Sequence, residues 1–277
     1  MKDVIVFSLL GSLALVLVLV AFYSTRRTRP HWGKTLVQNK RPWATAWFIN
    51  LDSRPDRAQS ATRVLQRLLI VPKRRAAITG KDPRAQELRQ RTGQNGGGAL
   101  GCYASHIQLW KMAALCRTSA WQLIFEDDIR LNDNLNVVQI ATMMRMVLNK
   151  APSHIGIIQF GVGYQKPCEW GRFDTTESEK TMLADATEGA LTHGAALGTQ
   201  AYAIRPWFAR VLLNVVNKQS IRLPKAVDLL VFHVVKRMST FSNKNIGLMF
   251  TAPWPHSSRT SGLIVQDYDA FGSDIIP

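Results

Sequence analysis

Three consecutive acids, Glu126-Asp127-Asp128, follow directly on the apolar run Leu123-Ile124-Phe125. Carboxylates grouped at the mouth of a buried strand repel one another, so a compensating cation is expected. A hard divalent ion held by one or two carboxylates and completed by diphosphate oxygens answers that need. It would neutralise the charge that develops on a leaving nucleoside diphosphate. A solvated acidic turn, or an acid-rich helix N-terminus, is the competing reading. Upstream, Asn50-Leu51-Asp52 with Arg54 and Arg57 closes another apolar run. Short polar side chains at such a strand end can hold a base and ribose, and an Arg can fork onto phosphate. Helix capping by Asp52 or Ser53 accounts for the same residues. The segment Gly101-Cys102-Tyr103-Ala104-Ser105-His106 opens an apolar helix. It would turn Ser105 and His106 toward the acids, with a structural histidine as the alternative. Asp228 stands alone in the apolar stretch 226–232. Desolvation there lifts a carboxyl toward use as a general base, and N-capping of the following helix is the rival role.

Positioning these residues requires strands that end where helices begin. The pattern predicts strands over 43–50, 75–79 (weakly, closed by Gly80), 121–125, 155–160, 199–204 and 246–251. It predicts helices over 55–70, 100–116, 137–148, 207–216 and 227–237, with Pro55 in a first turn and a Gly-rich turn at 96–98. Strands alternating with helices imply an α/β fold, a mainly parallel sheet covered on both faces. Ligands of such sheets bind where strands end and the topology reverses.

A chain of 277 residues, 46% hydrophobic, can bury one sizeable core. The formal net charge is +16, and residues 26–91 carry seventeen basic side chains against four acids. Such a surface attracts an anionic membrane face or a polyanion. No aromatic-interleaved nucleic-acid signature accompanies it, so the preferred reading is a solvated basic face near a membrane, with no nucleic-acid partner. Three cysteines (Cys102, Cys116, Cys168) make neither a disulfide framework nor a CxxC zinc pattern. Residues 4–23 are uncharged and rich in Leu and Val, enough helix to span a bilayer core of about 30 Å. The run is too long for a signal-peptide core and lacks a small-x-small cleavage site, so a retained single-pass anchor is expected. The implied organisation is an anchor over 1–23, a basic linker over 24–42 and a catalytic domain over 43–277. Arg26, Arg27 and Arg29 after the span favour a cytoplasmic domain.

The stretches WFINLDSRPDR, GALGCYASHIQLW, LIFEDDI, GTQAYAI and KAVDLL, in that order across residues 43–265, resemble glycosyltransferase family 25. That family includes lipopolysaccharide-biosynthesis and collagen hydroxylysine galactosyltransferases. The resemblance implies a GT-A-like, Rossmann-type sheet flanked by helices and preceded here by one transmembrane helix. It also implies a UDP-sugar donor, usually UDP-galactose, with Mn²⁺ and inversion at the anomeric carbon. Carried over, Asn50 and Arg57 lie near the nucleotide, and Ser105 and His106 by the donor sugar. Glu126, Asp127 and Asp128 hold ribose and metal, and Asp228 faces the acceptor as candidate base. Of the family's C-terminal order (Pro, Gln, then Ser-Asp-Ile), residues 255–264 and 273–275 are two candidate counterparts, with His256 the chosen metal ligand. The acceptor would be a hydroxyl on a glycan, a lipopolysaccharide or a protein. Many membrane-tethered glycosyltransferases face a Golgi- or ER-type lumen, against the cytoplasmic side that the arginines favour. Two other classes stay open: a catalytically inactive relative acting as a membrane-bound scaffold, and a basic membrane-surface or nucleic-acid adaptor.

Overall fold

In strand β1 (Ala44–Asn50), Ala46 and Phe48 face one core while Trp47 and Ile49 face another. That alternation places the strand inside a sheet with helices on both sides. The computed structural model describes residues 41–93, 97–133, 135–162, 191–193, 195, 197–250 and 261–267. The apolar run 4–23, most of the linker, Cys168, His256 and residues 273–275 lie outside the described residues. Among the described residues no helix is long and apolar enough to cross a membrane.

Beyond β1 the strands are β2 (Ile70–Ala76), β3 (Gln122–Phe125), β4 (Ile129–Leu131), β5 (Ile157–Gln159), β6 (Gly161–Val162), β7 (Leu191–His193), β8 (Ala201–Ile204), β9 (Gly247–Phe250), β10 (Ser261–Gly262) and β11 (Ile264–Gln266). Seven of them form one sheet in the order β2-β1-β3-β8-β5-β9-β7. β2, β1 and β3 pair in parallel, as do β5 and β9, whereas β8 and β7 run antiparallel to their neighbours. The sheet is therefore mixed, with an antiparallel strand at its centre. Strand β8 is buried on both faces (AYAI), and a uniformly apolar run says nothing of direction. Direction follows from the chain's path, which enters β8 at the edge where β3 leaves.

Helices α1 (Pro55–Arg67) and α4 (Val137–Lys150) pack on one face with Phe48, Leu123, Phe125 and Ile158. Helices α2 (Pro83–Thr92), α3 (Gly98–Leu115), α5 (Pro206–Asn217) and α6 (Val227–Ser242) cover the other with Ile49, Ile124, Ile157 and Tyr202. Helix α4 is held by a reciprocal capping box between Asn136 and Gln139.

The second strand lies earlier than the predicted 75–79, and α1 stops earlier than residue 70. Leu69 takes a left-handed backbone (φ 57°), which ends the helix and frees Ile70 to start β2. Trp43 fastens that turn, its backbone N–H donating to Leu69 and its indole N–H to Leu68. β2 is the sheet edge, where Pro72 and the run Lys73-Arg74-Arg75 are tolerated and discourage further pairing.

Candidate active site

Register brings the strand-borne part of the site together. Phe48 of β1 pairs with Phe125 of β3, so Asn50 and Asp127, each two residues on, leave the sheet level with one another. Asn50 Nδ2 donates to Asp127 Oδ2 at 2.6 Å. Phe125 also faces Ala201 of β8, which brings Gln200 opposite Glu126, and the Glu126 N–H donates to the Gln200 carbonyl at 2.9 Å. The antiparallel strand thus delivers Thr199 and Gln200 to the edge where β1 and β3 end. A fourth contribution comes from the C-terminal side. β11 pairs with β4, and Gln266 Nε2 donates to Asp128 Oδ2 at 2.6 Å.

Helix α3 closes the site from one face. Its close approach depends on Gly101, where a Cβ would stand 2.3 Å from the Ile78 carbonyl oxygen. Ser105 finishes the contact, accepting from the Ile78 N–H at 2.8 Å and donating to the Gly101 carbonyl at 2.7 Å. The resulting cleft of about 280 Å³ is lined by Asn50, Arg57, Cys102, Ser105, His106 and the three acids, with Leu51, Ile78 and Gly98. The N-terminus of α3 begins at Gly97, with no side-chain cap.

The three acids have different surroundings. Burial opposes ionisation of Glu126, but the hydrogen bond and electrostatic attraction of His106, the hydrogen bond from Thr199 and the charge of Arg57 outweigh it and hold the carboxyl below its usual range. Thr199 Oγ1 donates to Glu126 Oε1 at 2.7 Å, and His106 Nε2 lies 3.3 Å from the same oxygen. Behind His106 the Trp110 N–H donates to the Tyr202 hydroxyl at 2.9 Å, and that hydroxyl meets His106 Nδ1 at 2.9 Å. A consistent assignment has Tyr202 donating to Nδ1, so that Nε2 carries the proton and gives it to Glu126. Asp127 is met by Asn50 and by Arg57 NH1 at 3.6 Å; burial nevertheless raises its pKa, these contacts opposing the rise. Asp128 is raised furthest, to about 7, by burial and then by the charges of Glu126 and Asp127. Its Oδ1 is buried with no hydrogen-bond partner among the described residues.

That oxygen tests whether a hard cation fits. Asp128 offers an unshared carboxylate oxygen in a cluster short of positive charge, and Asp127 stands beside it. Both are donors that Mg²⁺ or Mn²⁺ accepts. His256 lies outside the described residues.

Of the site residues named from sequence that the structure describes, seven line one cleft and Asp228 does not. Asn50, Arg57, Ser105, His106, Glu126, Asp127 and Asp128 all line the cleft. Asn50 is fully engaged there, donating to Asp127 and to the Arg54 carbonyl while accepting from Arg74 Nε at 2.7 Å. It orients Asp127 and the turn after β1. Asp228 is not a lining residue. Its oxygens accept the N–H groups of Gly198 at 3.1 Å and Leu229 at 2.7 Å, and burial raises its pKa, with the Glu126 charge adding to the rise. Residues passed over in the sequence are Cys102, Thr199, Tyr202 and Gln266. The i,i+4 spacing of Cys102 and His106 was a usable signal for the first. The position of Gln266 between Pro255 and Ser273 fits the order Pro, Gln, Ser-Asp-Ile. Tyr202 and Thr199 lie in the stretch GTQAYAI, but their roles arise from the β3–β8 pairing, which the sequence does not show.

Residues 44–231 match the family model described as glycosyltransferase family 25 (LPS biosynthesis protein). No curated protein matches the chain. Among solved structures the chain is similar to a glycosyltransferase involved in the glycosylation of the major capsid of PBCV-1. The identity is 9% over 75% of this chain and 92% of that one, with a TM-score of 0.36.

Proposed function

The chain belongs to glycosyltransferase family 25, and we propose that it transfers a hexose, galactose, from a UDP-sugar to an acceptor hydroxyl with inversion at the anomeric carbon. The observation that carries this reading is the unshared Asp128 Oδ1 at the mouth of β3, inside an acid cluster whose own cations do not satisfy it. Asp128 and Asp127 would hold a divalent ion, Mn²⁺. When bound, that ion supplies positive charge to the diphosphate as the glycosidic bond to it breaks.

The chain's own groups do the rest. The N-terminus of α3, with no side-chain cap among the described residues, opens beside Gly98 on the cleft, where its first-turn N–H groups suit a phosphate. Leu51 and Ile78 supply apolar walls for the base. Glu126, kept anionic by Thr199 and His106, is fixed to accept hydroxyls of ribose or sugar, not to take a proton. Asp228, outside the cleft lining, is the proposed base on the family resemblance: its raised pKa suits proton uptake, and the Gly198 and Leu229 N–H groups fix its orientation.

Turnover of a panel of UDP-sugars with and without Mn²⁺, alongside calorimetry of UDP, tests the proposal. UDP affinity should fall by at least about tenfold in chelator, a loss of roughly 1.4 kcal/mol. Equal UDP binding in chelator, or no turnover of any UDP-sugar, refutes it.

A further inference from the structure

We propose that Cys102, His106 and Glu126 form a second cation site, suited to a zinc-class divalent ion and separate in chemistry from the all-oxygen site at Asp127 and Asp128. Cys102 Sγ, a ring nitrogen of His106 and a carboxylate oxygen of Glu126 lie within 4.8 Å of one another. Cys102 and His106 are four residues apart on α3 and so share a helix face. Cys102 is a free thiol that lines the cleft. A sulfur, an imidazole nitrogen and a carboxylate oxygen are the donors that Zn²⁺ takes, whereas Mn²⁺ and Mg²⁺ prefer oxygen alone. Three protein ligands with the fourth position open to a cleft is the arrangement of zinc sites that accept an exogenous group.

Two of the three ligands have outer partners, one of which must reverse its hydrogen bond when the ion binds. His106 Nδ1 is held at 2.9 Å by the Tyr202 hydroxyl, which Trp110 fixes in turn, and Thr199 holds Glu126. Such outer contacts orient ligands and strengthen a metal site. Zinc–ligand bonds of about 2.0–2.3 Å require the sulfur to move inward by on the order of 1 Å, within reach of a side-chain rotation. The proton balance is simple. The thiol gives one proton to solvent as the sulfur–metal bond forms. The imidazole exchanges its Nε2 proton for one on Nδ1, and the Tyr202 hydroxyl, the donor in the ion-free protein, turns its own hydrogen away and accepts from Nδ1 beside the Trp110 N–H. An ion there would occupy the cleft proposed for the donor, so it should inhibit transfer; this consequence rests on the donor-site reading, while the ion site does not.

The test uses the full chain and Co²⁺ as a visible stand-in for Zn²⁺. One equivalent of Co²⁺ should produce a thiolate-to-cobalt charge-transfer band with release of one proton. Cys102→Ser and Cys102→Ala should both lose the band, and Cys116→Ser should keep it. With Mn²⁺ saturating, Zn²⁺ should inhibit the wild type at concentrations at least about tenfold lower than it does Cys102→Ser, each measured against its own uninhibited rate. No band in the wild type, or an unchanged band in both Cys102 variants, overturns the site. A band with no zinc inhibition overturns its overlap with the donor cleft. A band in a protein that turns over no UDP-sugar supports the site and sinks the transferase reading instead.

Discussion

Replacing Asp128 with Asn should separate the charge of the acid cluster from its packing. In cation-free protein the carboxyl titrates near pH 7 instead of 3.8, chiefly through burial and then through Glu126 and Asp127. The unfolded chain therefore releases this proton first. The folded state binds more protons between those two values, and stability falls as pH rises through that window. A displacement of that size corresponds to roughly 4 kcal/mol at most, and sharing of protons within the cluster makes about 2 kcal/mol a sounder expectation. Asn is nearly isosteric, and its oxygen can keep the Gln266 hydrogen bond. At pH 8 in chelator the variant should melt higher by roughly 4–8 °C for a domain of this size, whereas near pH 4 the difference should vanish. With a divalent ion and UDP added, the wild type should gain stability and the variant little. Sugar transfer should fall by roughly two to three orders of magnitude, the equivalent of losing about 3–4 kcal/mol of charge stabilisation. Scanning fluorimetry at the two pH values and steady-state transfer at saturating Mn²⁺ decide it. A variant that melts lower at pH 8 refutes the charge argument, and one that transfers within a few-fold of wild type refutes the role of Asp128 in holding the ion.

Other changes probe the groups around the triplet. Thr199→Val removes a donor from half-buried Glu126, a hydrogen bond to a charged group worth about 1.5–3 kcal/mol. Because Glu126 is held below its ordinary pKa, its contribution is present above the unfolded value and lost as pH falls through the folded one. The variant should therefore lose activity at higher pH on the acid side, and an unmoved acid limb argues against this role. Gly101→Ala drives a methyl against the Ile78 carbonyl and should cost about 1–3 kcal/mol in denaturant melts; an unchanged midpoint refutes the close approach. Alkaline carbonate extraction of membranes should leave the chain in the pellet if residues 4–23 form a retained span, and release into the supernatant rules that out.

Element order was legible in the sequence wherever apolar periodicity was strong. Strand β1, helix α3 and strand β3 fall within about two residues of their predicted positions, and the cleft residues 50, 57, 105, 106 and 126–128 were all identified as candidates. What escaped had physical reasons. Strand β2 is an edge with Pro and three consecutive cations, so it shows neither alternation nor an apolar run. Helix α2 is too polar to display a clear stripe, and its markers are the Asp82 cap and Pro83. The antiparallel β8 follows from chain path, and with it come Thr199 and Tyr202, whose neighbours in space lie 73 and 96 residues away in sequence.

The triplet reads from sequence as three equivalent carboxylates, and the fold makes them inequivalent through partners drawn from separate elements. Glu126 receives donors from α3 and from the loop before β8, which keep it charged. Asp127 receives Asn50 from the end of β1 and Arg57 from α1, which restrain it and partly balance its charge. Asp128 receives only one side-chain hydrogen bond among the described residues, from the C-terminal strand, with Arg57 no closer than 4.0 Å, and keeps one buried oxygen open. A solvated turn needs none of this wiring, since water would satisfy all six oxygens at no structural cost. Two acids held in place beside a third left unsatisfied in a concave, partly apolar cleft is an unfavourable arrangement for the isolated fold. It becomes favourable when a ligand brings positive charge to the open oxygen. The same asymmetry ties the site to the completed sheet: β1, β3, β8 and β11 must all be in register before any of the three carboxylates has its own environment.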